Sequence, residues 1–178
     1  MTIFDARNGI PFSGRSIMFD TNVWLAIDGG IIDERMAPYS DFYSQARKTD
    51  NKVIVNDVIL GEFFNRACRM QYELCYPEDL SRRNFKIVRS KPEFAEFMDS
   101  VRDTCLNMLE DCVYEPAFIQ QSDLASLLKE AGTGTIDFSD IAVREHCRRN
   151  NYAIVSHDAD FANCGLDLIT ANPRVLRR

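Results

Sequence analysis

The chain has 178 residues with a formal net charge of −6, and 46% of its residues are hydrophobic and 27% charged. These values are typical of a single globular domain, and no apolar run approaches the ~18 residues that a membrane-spanning helix needs. The acidic balance argues against binding nucleic acid by charge alone, although it does not exclude a nuclease whose acidic residues are concentrated in a metal site.

Four apolar segments have the length and composition of buried strands, at residues 17–20, 52–56, 152–156 and 166–170. Helical patterns accompany them, over residues 23–27, 40–48, 58–74, 92–109, 123–130 and 136–150. Residues 1–15 contain two glycines and a proline and are predicted to form an ordered or loosely ordered lead-in. The stretch between Pro77 and Pro92 is predicted to be a basic loop.

Glycines and small polar residues mark the predicted helix ends. Gly29 and Gly30 are expected to end the first helix. Ser40, Asp57 and Ser122 are expected to cap the second, third and fifth helices through their side-chain oxygens.

Strands separated by helices require crossover connections, which favour a mostly parallel sheet covered on both faces. The sequence therefore predicts one α/β domain over residues 1–178, with three α/β/α layers and a sheet of four or five strands. Residues 66–131 are predicted to be a helical elaboration within that domain.

The amino terminus lacks the basic start and long apolar core of a signal peptide, so we expect a cytoplasmic protein that does not associate with a membrane. The six cysteines contain no C-x-x-C pair and lie mostly in helical patterns, and only two histidines accompany them. Reduced, packed thiols are therefore favoured over disulfides or a zinc site.

Acidic residues occur on several predicted elements at what should be one edge of the sheet. In a parallel sheet the carboxyl ends of the strands meet at that edge, where ligands usually bind. Asp20 ends the first strand, Glu62 lies early in the helix after the second, and Asp158 and Asp160 follow the third. A further helix carries two acids one turn apart, Asp137 and Asp140.

Such a cluster is not a stabilising device, because two carboxylates about 4 Å apart repel by roughly 4 kcal/mol at an effective dielectric constant near 20. A hard divalent cation offsets that repulsion, and all-oxygen ligation suits Mg²⁺ or Mn²⁺. Such an ion stabilises charge on a phosphodiester and lowers the pKa of bound water. With no Walker loop or nucleophile elbow in the sequence, metal-assisted phosphodiester hydrolysis is the favoured chemistry.

Several candidates keep an alternative structural role. Asp137 is a weaker candidate than Asp140 because it can serve as a helix cap, and Asp160 lies two residues further into its loop than Asp158. The polar residues Thr21, Asn22 and Ser156 are candidates either to orient a ligand or phosphate or to be ordinary turn residues.

Five segments follow one another along the chain: FDTNV at 19–23, VILGEF at 58–63, DIAV at 140–143, VSHDADF at 155–161 and LITANP at 168–173. Their order and spacing resemble a PIN domain, and more narrowly a toxin of the VapC type. The resemblance implies a Mg²⁺- or Mn²⁺-dependent ribonuclease, often a homodimer, inhibited by an antitoxin whose carboxyl-terminal segment blocks the acidic groove. By position, the four acidic residues of the family match Asp20, Glu62, Asp140 and Asp158, with Asp160 as an auxiliary acid.

The leading hypothesis is therefore an endoribonuclease toxin in which Asp20, Asp140 and Asp158 hold the metal ion. Glu62 would ligate the ion or orient the attacking water. The alternative is a PIN-like binding or scaffold module with little or no catalysis. A phosphatase with an Asp nucleophile is disfavoured, because Asn22 occupies the position where that chemistry requires a second Asp.

Overall fold

The computed structural model describes residues 1–28, 33–77 and 82–177, with residues 82 and 83 described by their backbone alone. The described residues contain a six-stranded, fully parallel sheet. Its strands are β1 (Ile3–Asp5), β2 (Ser16–Phe19), β3 (Lys52–Val55), β4 (Val113–Tyr114), β5 (Ala153–Val155) and β6 (Leu168–Thr170). They are arranged in the order β1-β6-β5-β2-β3-β4.

Eight α-helices connect or flank these strands in the described residues. They are α1 (Thr21–Ile27), α2 (Ala37–Lys48), α3 (Asp57–Cys75), α4 (Arg82–Val88), α5 (Ala95–Asp111), α6 (Gln121–Ala131), α7 (Phe138–Asn150) and α8 (Pro173–Leu176). Within the described part of the chain, none of them is long and apolar enough to cross a membrane.

The central strands are buried on both faces. Consecutive side chains of a strand point to opposite faces, and Ile17, Met18 and Phe19 of β2 are all fully buried. The three residues of β5 are fully buried as well. Helices therefore cover both faces of the sheet, as predicted from the continuous apolar character of these segments.

The predicted sheet of four or five strands was too small, and two strands were missed. β1 lies within the segment predicted to be a lead-in, where it pairs with β6 at the edge of the sheet. β4 has only two residues, pairs with β3 at the opposite edge, and is exposed. Both strands are defined by pairing with a distant segment, and neither is long enough to produce a periodic pattern.

The three predicted amino-terminal helix caps were wrong. Asn56, and not Asp57, caps α3, because its side-chain oxygen accepts a hydrogen bond from the backbone N–H of Ile59 at 2.9 Å. Ser40 lies inside α2 and Ser122 lies inside α6, and neither helix has a side-chain cap bond.

The segment before Pro92, predicted to be a basic loop, contains the short helix α4. Its many basic residues led to the prediction of a loop. Gly29 and Gly30, predicted to end α1, lie outside the described residues. Asp28 occupies the position after α1, and its backbone N–H donates to Trp24.

The segment predicted to be a helical elaboration consists of the end of α3 together with α4, α5 and α6, and it also contains the short strand β4. Helix α5 packs along α3, with Cys68 Sγ 3.4 Å from Met98 Sδ. This segment therefore extends the helical layer beside α3 and supplies one edge of the sheet.

Candidate active site

The predicted acidic residues lie around the carboxyl ends of β2 and β5. These neighbouring strands form a topological switch point, because the chain continues from β2 to β3 on one side and from β5 to β6 on the other. In open α/β sheets the crevice at such a point is the usual ligand site. Asp20 lies directly after β2, and its backbone N–H donates to Val155 O of β5 at 2.9 Å.

Asp20 is buried and surrounded by hydrogen-bond donors. Its carboxylate caps α1 by accepting from the Thr21 N–H at 2.7 Å, and it also accepts from Ser156 Oγ at 2.7 Å and from Asn22 Nδ2. Burial raises the pKa of Asp20 to about 6; the Ser156 and Thr21 hydrogen bonds act against this rise, whereas the charges of Glu62 and Asp158 add to it. Asp20 is thus fixed in orientation.

Glu62 lies in the second turn of α3, and its side chain contacts Thr21, the first residue of α1. Thr21 Oγ1 donates to Glu62 Oε2 at 3.1 Å, and Arg66 Nη1 lies 3.2 Å from Glu62 Oε1. Because Thr21 is fully buried, its hydroxyl holds one oxygen of Glu62 at the rim of the crevice. The sequence predicted only that Glu62 lies early in the helix that follows β3.

Ser156 and Asn22 tie the loop after β5 to α1. Ser156 Oγ accepts a hydrogen bond from the Asp158 N–H at 2.9 Å while its own hydroxyl donates to Asp20. Asn22 Oδ1 accepts from the His157 N–H at 3.1 Å. Asp158 in turn caps the 3₁₀ helix Ala159–Asn163, accepting from the Asp160 N–H at 2.9 Å. The structure therefore places both polar residues in a network that orients carboxylates.

Asp140 differs from Asp20 in its surroundings. It lies in the first turn of α7, and within the described residues no hydrogen bond or ion pair engages its carboxylate. The pKa of Asp140 is raised to about 7, mainly by burial. Neighbouring charges raise it further, in decreasing order those of Asp20, Glu62, Asp158 and Asp137. The four principal candidates are therefore close enough to affect one another's charge.

Asp137 and Asp160 lie at the periphery of this group. Asp137 occupies the N-cap position of α7, but its side chain makes no capping hydrogen bond. Asp160 is largely exposed. Its slight burial and the charges of Asp158 and Asp137 raise its pKa. Neither residue is held in place as Asp20 is.

The chemistry of the donors fits a hard divalent cation. Four candidate carboxylates lie around the crevice, and burial together with the charges of neighbouring acids raises the pKa of Asp20 and of Asp140. Carboxylate oxygens are the ligands that such a cation prefers. However, among residues 1–28, 33–77 and 82–177, no three acidic, histidine or cysteine side chains form a ready-made metal cluster. The residues fit Mg²⁺ or Mn²⁺ by donor type and location, without a preformed set of ligands.

Sequence reasoning did not identify the residues that support His157. Tyr39 Oη lies 2.9 Å from His157 Nδ1, and Asn172 Nδ2 donates to His157 O at 2.6 Å. Tyr39 also accepts a hydrogen bond from the Ala171 N–H at 2.8 Å. Tyr39 is distant in sequence from the acidic segments and stands in an ordinary amphipathic helix, so no local signal marked it.

No family model matches the sequence, and no curated protein matches it. Among solved structures, the chain is similar to VapBC2 from Rickettsia felis bound to a DNA fragment from their promoter, at 14% identity and a TM-score of 0.54, covering 86% of this chain and 96% of that one. It is also similar to PAE2754 from Pyrobaculum aerophilum, at 12% identity and a TM-score of 0.50, covering 96% of both chains. At these identities the similarity shows the fold alone.

Proposed function

We propose that this chain, which has a VapC-like PIN fold, is a metal-dependent endoribonuclease that hydrolyses RNA phosphodiester bonds as the toxin of a toxin–antitoxin pair. The observation that supports the proposal is that four acids near the switch point between β2 and β5 lie close enough to influence one another electrostatically: Asp20, Glu62, Asp140 and Asp158. Burial and the charges of neighbouring acids raise the pKa of Asp20 and of Asp140, and a bound cation would favour the ionised form of both.

In this proposal Asp20, Asp140 and Asp158 hold Mg²⁺ or Mn²⁺, and Glu62 ligates the ion or orients the attacking water. When bound, the ion stabilises the charge that develops on the phosphodiester and lowers the pKa of a bound water. The chain itself supplies orientation. Three donors fix Asp20, and Thr21 holds Glu62 at the rim of the crevice.

The proposed partners are an RNA substrate, an antitoxin protein and a second copy of the chain in a cytoplasmic homodimer. The antitoxin is supported by the likeness in fold to VapBC2. The other two partners follow from the resemblance in sequence.

RNA cleavage with Mg²⁺, with Mn²⁺ and with EDTA tests the proposal. Asp140→Asn should reduce cleavage by more than about 100-fold, because loss of a direct ligand should exceed the 10- to 100-fold cost of losing an outer-shell group. Asp99→Asn is the matched control, since Asp99 is an exposed acid on α5. Cleavage that persists in EDTA, or full activity in Asp140→Asn, would contradict the proposal.

A binding or scaffold module is the second candidate, and the absence of a ready-made metal cluster in the described residues favours it. Titration calorimetry with Mn²⁺ at neutral pH separates the two functions. Binding that is lost in Asp140→Asn supports the nuclease, whereas no binding to the wild type supports the scaffold.

A further inference from the structure

A cavity of about 430 Å³ lies beside the proposed active site, on the side of Asp158. This volume falls in the range of roughly 300–1,000 Å³ that is typical of small-molecule sites. Asn22 and Asp158 form the wall that the cavity shares with the carboxylates. An occupant of the cavity would therefore touch the residues that bound the proposed reaction centre.

Three apolar side chains from separate elements form one part of the cavity. Leu25 comes from α1, Met36 ends the 3₁₀ helix Glu34–Met36, and Met70 comes from α3. Leu25 is buried, while the two methionines are partly exposed to the cavity. Methionine adapts its shape to a flat or irregular ligand and makes favourable sulfur contacts with aromatic rings. This surface suits a planar, weakly polar group.

His157 adds an aromatic ring whose position is fixed. The ring meets Tyr39 edge-on at 5.7 Å between centroids, and its Nδ1 lies 2.9 Å from Tyr39 Oη. The backbone carbonyl of His157 is held by Asn172 at 2.6 Å. Unstacked bases of single-stranded RNA commonly pack on such rings.

Arg174 gives the cavity a cation. Its backbone N–H donates to Asn172 Oδ1, and no carboxylate pairs with its guanidinium among the described residues. Arg66 also lines the cavity but shares its charge with Glu62, and Asp33 on the same wall is paired with Arg35 at 2.6 Å. Arg174 is therefore the group best placed to bind a phosphate, which guanidinium groups recognise through paired hydrogen bonds.

We propose that this cavity binds one nucleotide of a single-stranded RNA, adjacent to the phosphodiester at the carboxylates. The base packs against Met36, Met70 and His157, and a phosphate contacts Arg174. This inference rests on the proposed ribonuclease function. A nucleotide fits better than a protein segment because the cavity combines a planar apolar surface with an unpaired guanidinium.

Binding can be measured without metal ions or cleavage. Protein labelled with ¹³C at the methionine methyl groups is titrated in EDTA with AMP, GMP, CMP and UMP, and separately with inorganic phosphate. At least one nucleotide should shift the methyl signals of Met36 and Met70. The signals of Met18 and Met108, which are buried away from the cavity, should stay in place. Inorganic phosphate alone should leave all four signals unchanged.

Arg174→Glu should weaken the binding of that nucleotide at least about tenfold, since it replaces a phosphate-binding cation with an anion. Arg177→Glu makes the same change of charge at an exposed residue that does not line the cavity, and it should alter the affinity less than about twofold. Equal losses in the two variants would indicate general electrostatic attraction and overturn the proposed site.

The outcomes separate this inference from the proposed function. If RNA is cleaved but no nucleotide shifts Met36 or Met70 at about 10 mM, the cavity is not a nucleotide site and the nuclease proposal stands. Nucleotide binding without any metal-dependent cleavage would support the cavity and overturn the nuclease. If only a protein partner shifts these methyl groups, the cavity is a protein-binding site and the inference is wrong.

Discussion

Replacing Asp140 with Asn should stabilise the metal-free protein. Asp140 makes no hydrogen bond or ion pair within the described residues, so the substitution removes a charge without breaking a contact. Burial and four neighbouring carboxylates raise the pKa of Asp140 from 3.8 to about 7. The charged form is therefore unfavourable in the folded state, and Asn is nearly the same size.

The size and sign of the effect follow from the shift in pKa. A rise in pKa from 3.8 to about 7 corresponds to about 4 kcal/mol of lost stability when Asp140 is charged. Because solvent screens the partly exposed side chain, the expected cost is about 2 kcal/mol. A raised carboxyl pKa means that the folded protein holds the proton more tightly. Stability therefore falls as the pH rises from about 4 to about 7, and the full cost is present above pH 7.

Thermal unfolding in EDTA at pH 5 and pH 8 measures this cost. At pH 8 the melting temperature of Asp140→Asn should exceed that of the wild type by about 4–8 °C, and at pH 5 by a smaller amount. Asp41→Asn is the control, because Asp41 is an exposed acid of α2 that makes no hydrogen bond or ion pair among the described residues and does not act on Asp140. A melting temperature at pH 8 equal to or below that of the wild type would refute the argument from charge repulsion.

Two further substitutions test the supporting contacts by thermal unfolding. Tyr39→Phe should cost about 1–3 kcal/mol of stability, because the buried Ala171 N–H loses its hydrogen-bond acceptor. The control Tyr114→Phe changes an exposed tyrosine and should alter stability by less than about 0.5 kcal/mol. Equal effects of the two substitutions would contradict a stabilising role for the Tyr39 hydroxyl. Asn56→Ala should cost about 1 kcal/mol of stability, because α3 loses its cap. Asn56→Ser should keep most of the wild-type stability, because serine is also a good capping residue. An unchanged melting temperature in Asn56→Ala would show that the cap bond is not stabilising.

The sequence predicted those parts of the fold that have strong local signals. β2, β3 and β5 are short apolar runs bounded by polar residues; β3 and β5 lie within their predicted segments, and β2 begins and ends one residue before its own. β1 and β4 were not predicted because they are short edge strands that depend on pairing with β6 and β3. The cap of α3 was misplaced by one residue, because Asn56 and Asp57 are both good capping residues and only the backbone geometry separates them.

The site was predictable to the same extent. The carboxyl ends of parallel strands share one edge, so Asp20 and Asp158 could be brought together from sequence alone. The structure places both residues there, and Glu62 and Asp140, which were predicted at the same edge, lie within electrostatic range of this pair. The contact between Tyr39 and His157 could not be predicted in this way, because the two residues are more than a hundred positions apart in the sequence. They meet only when α2 packs beside the end of β5.

Asp20 and Asp140 show two different ways of placing an acid in one crevice. Asp20 is 4% exposed, but three donors from Thr21, Asn22 and Ser156 hold its carboxylate. The hydrogen bonds from Ser156 and Thr21 oppose the effect of burial on its pKa. Asp140 has no such donors, so its charge is the less compensated of the two. An entering cation would therefore gain a pre-oriented ligand from Asp20 and would relieve the greater electrostatic cost at Asp140. Under the proposed function, Asp20 would determine where the ion sits, and Asp140 would make the affinity for the ion depend on pH near neutrality.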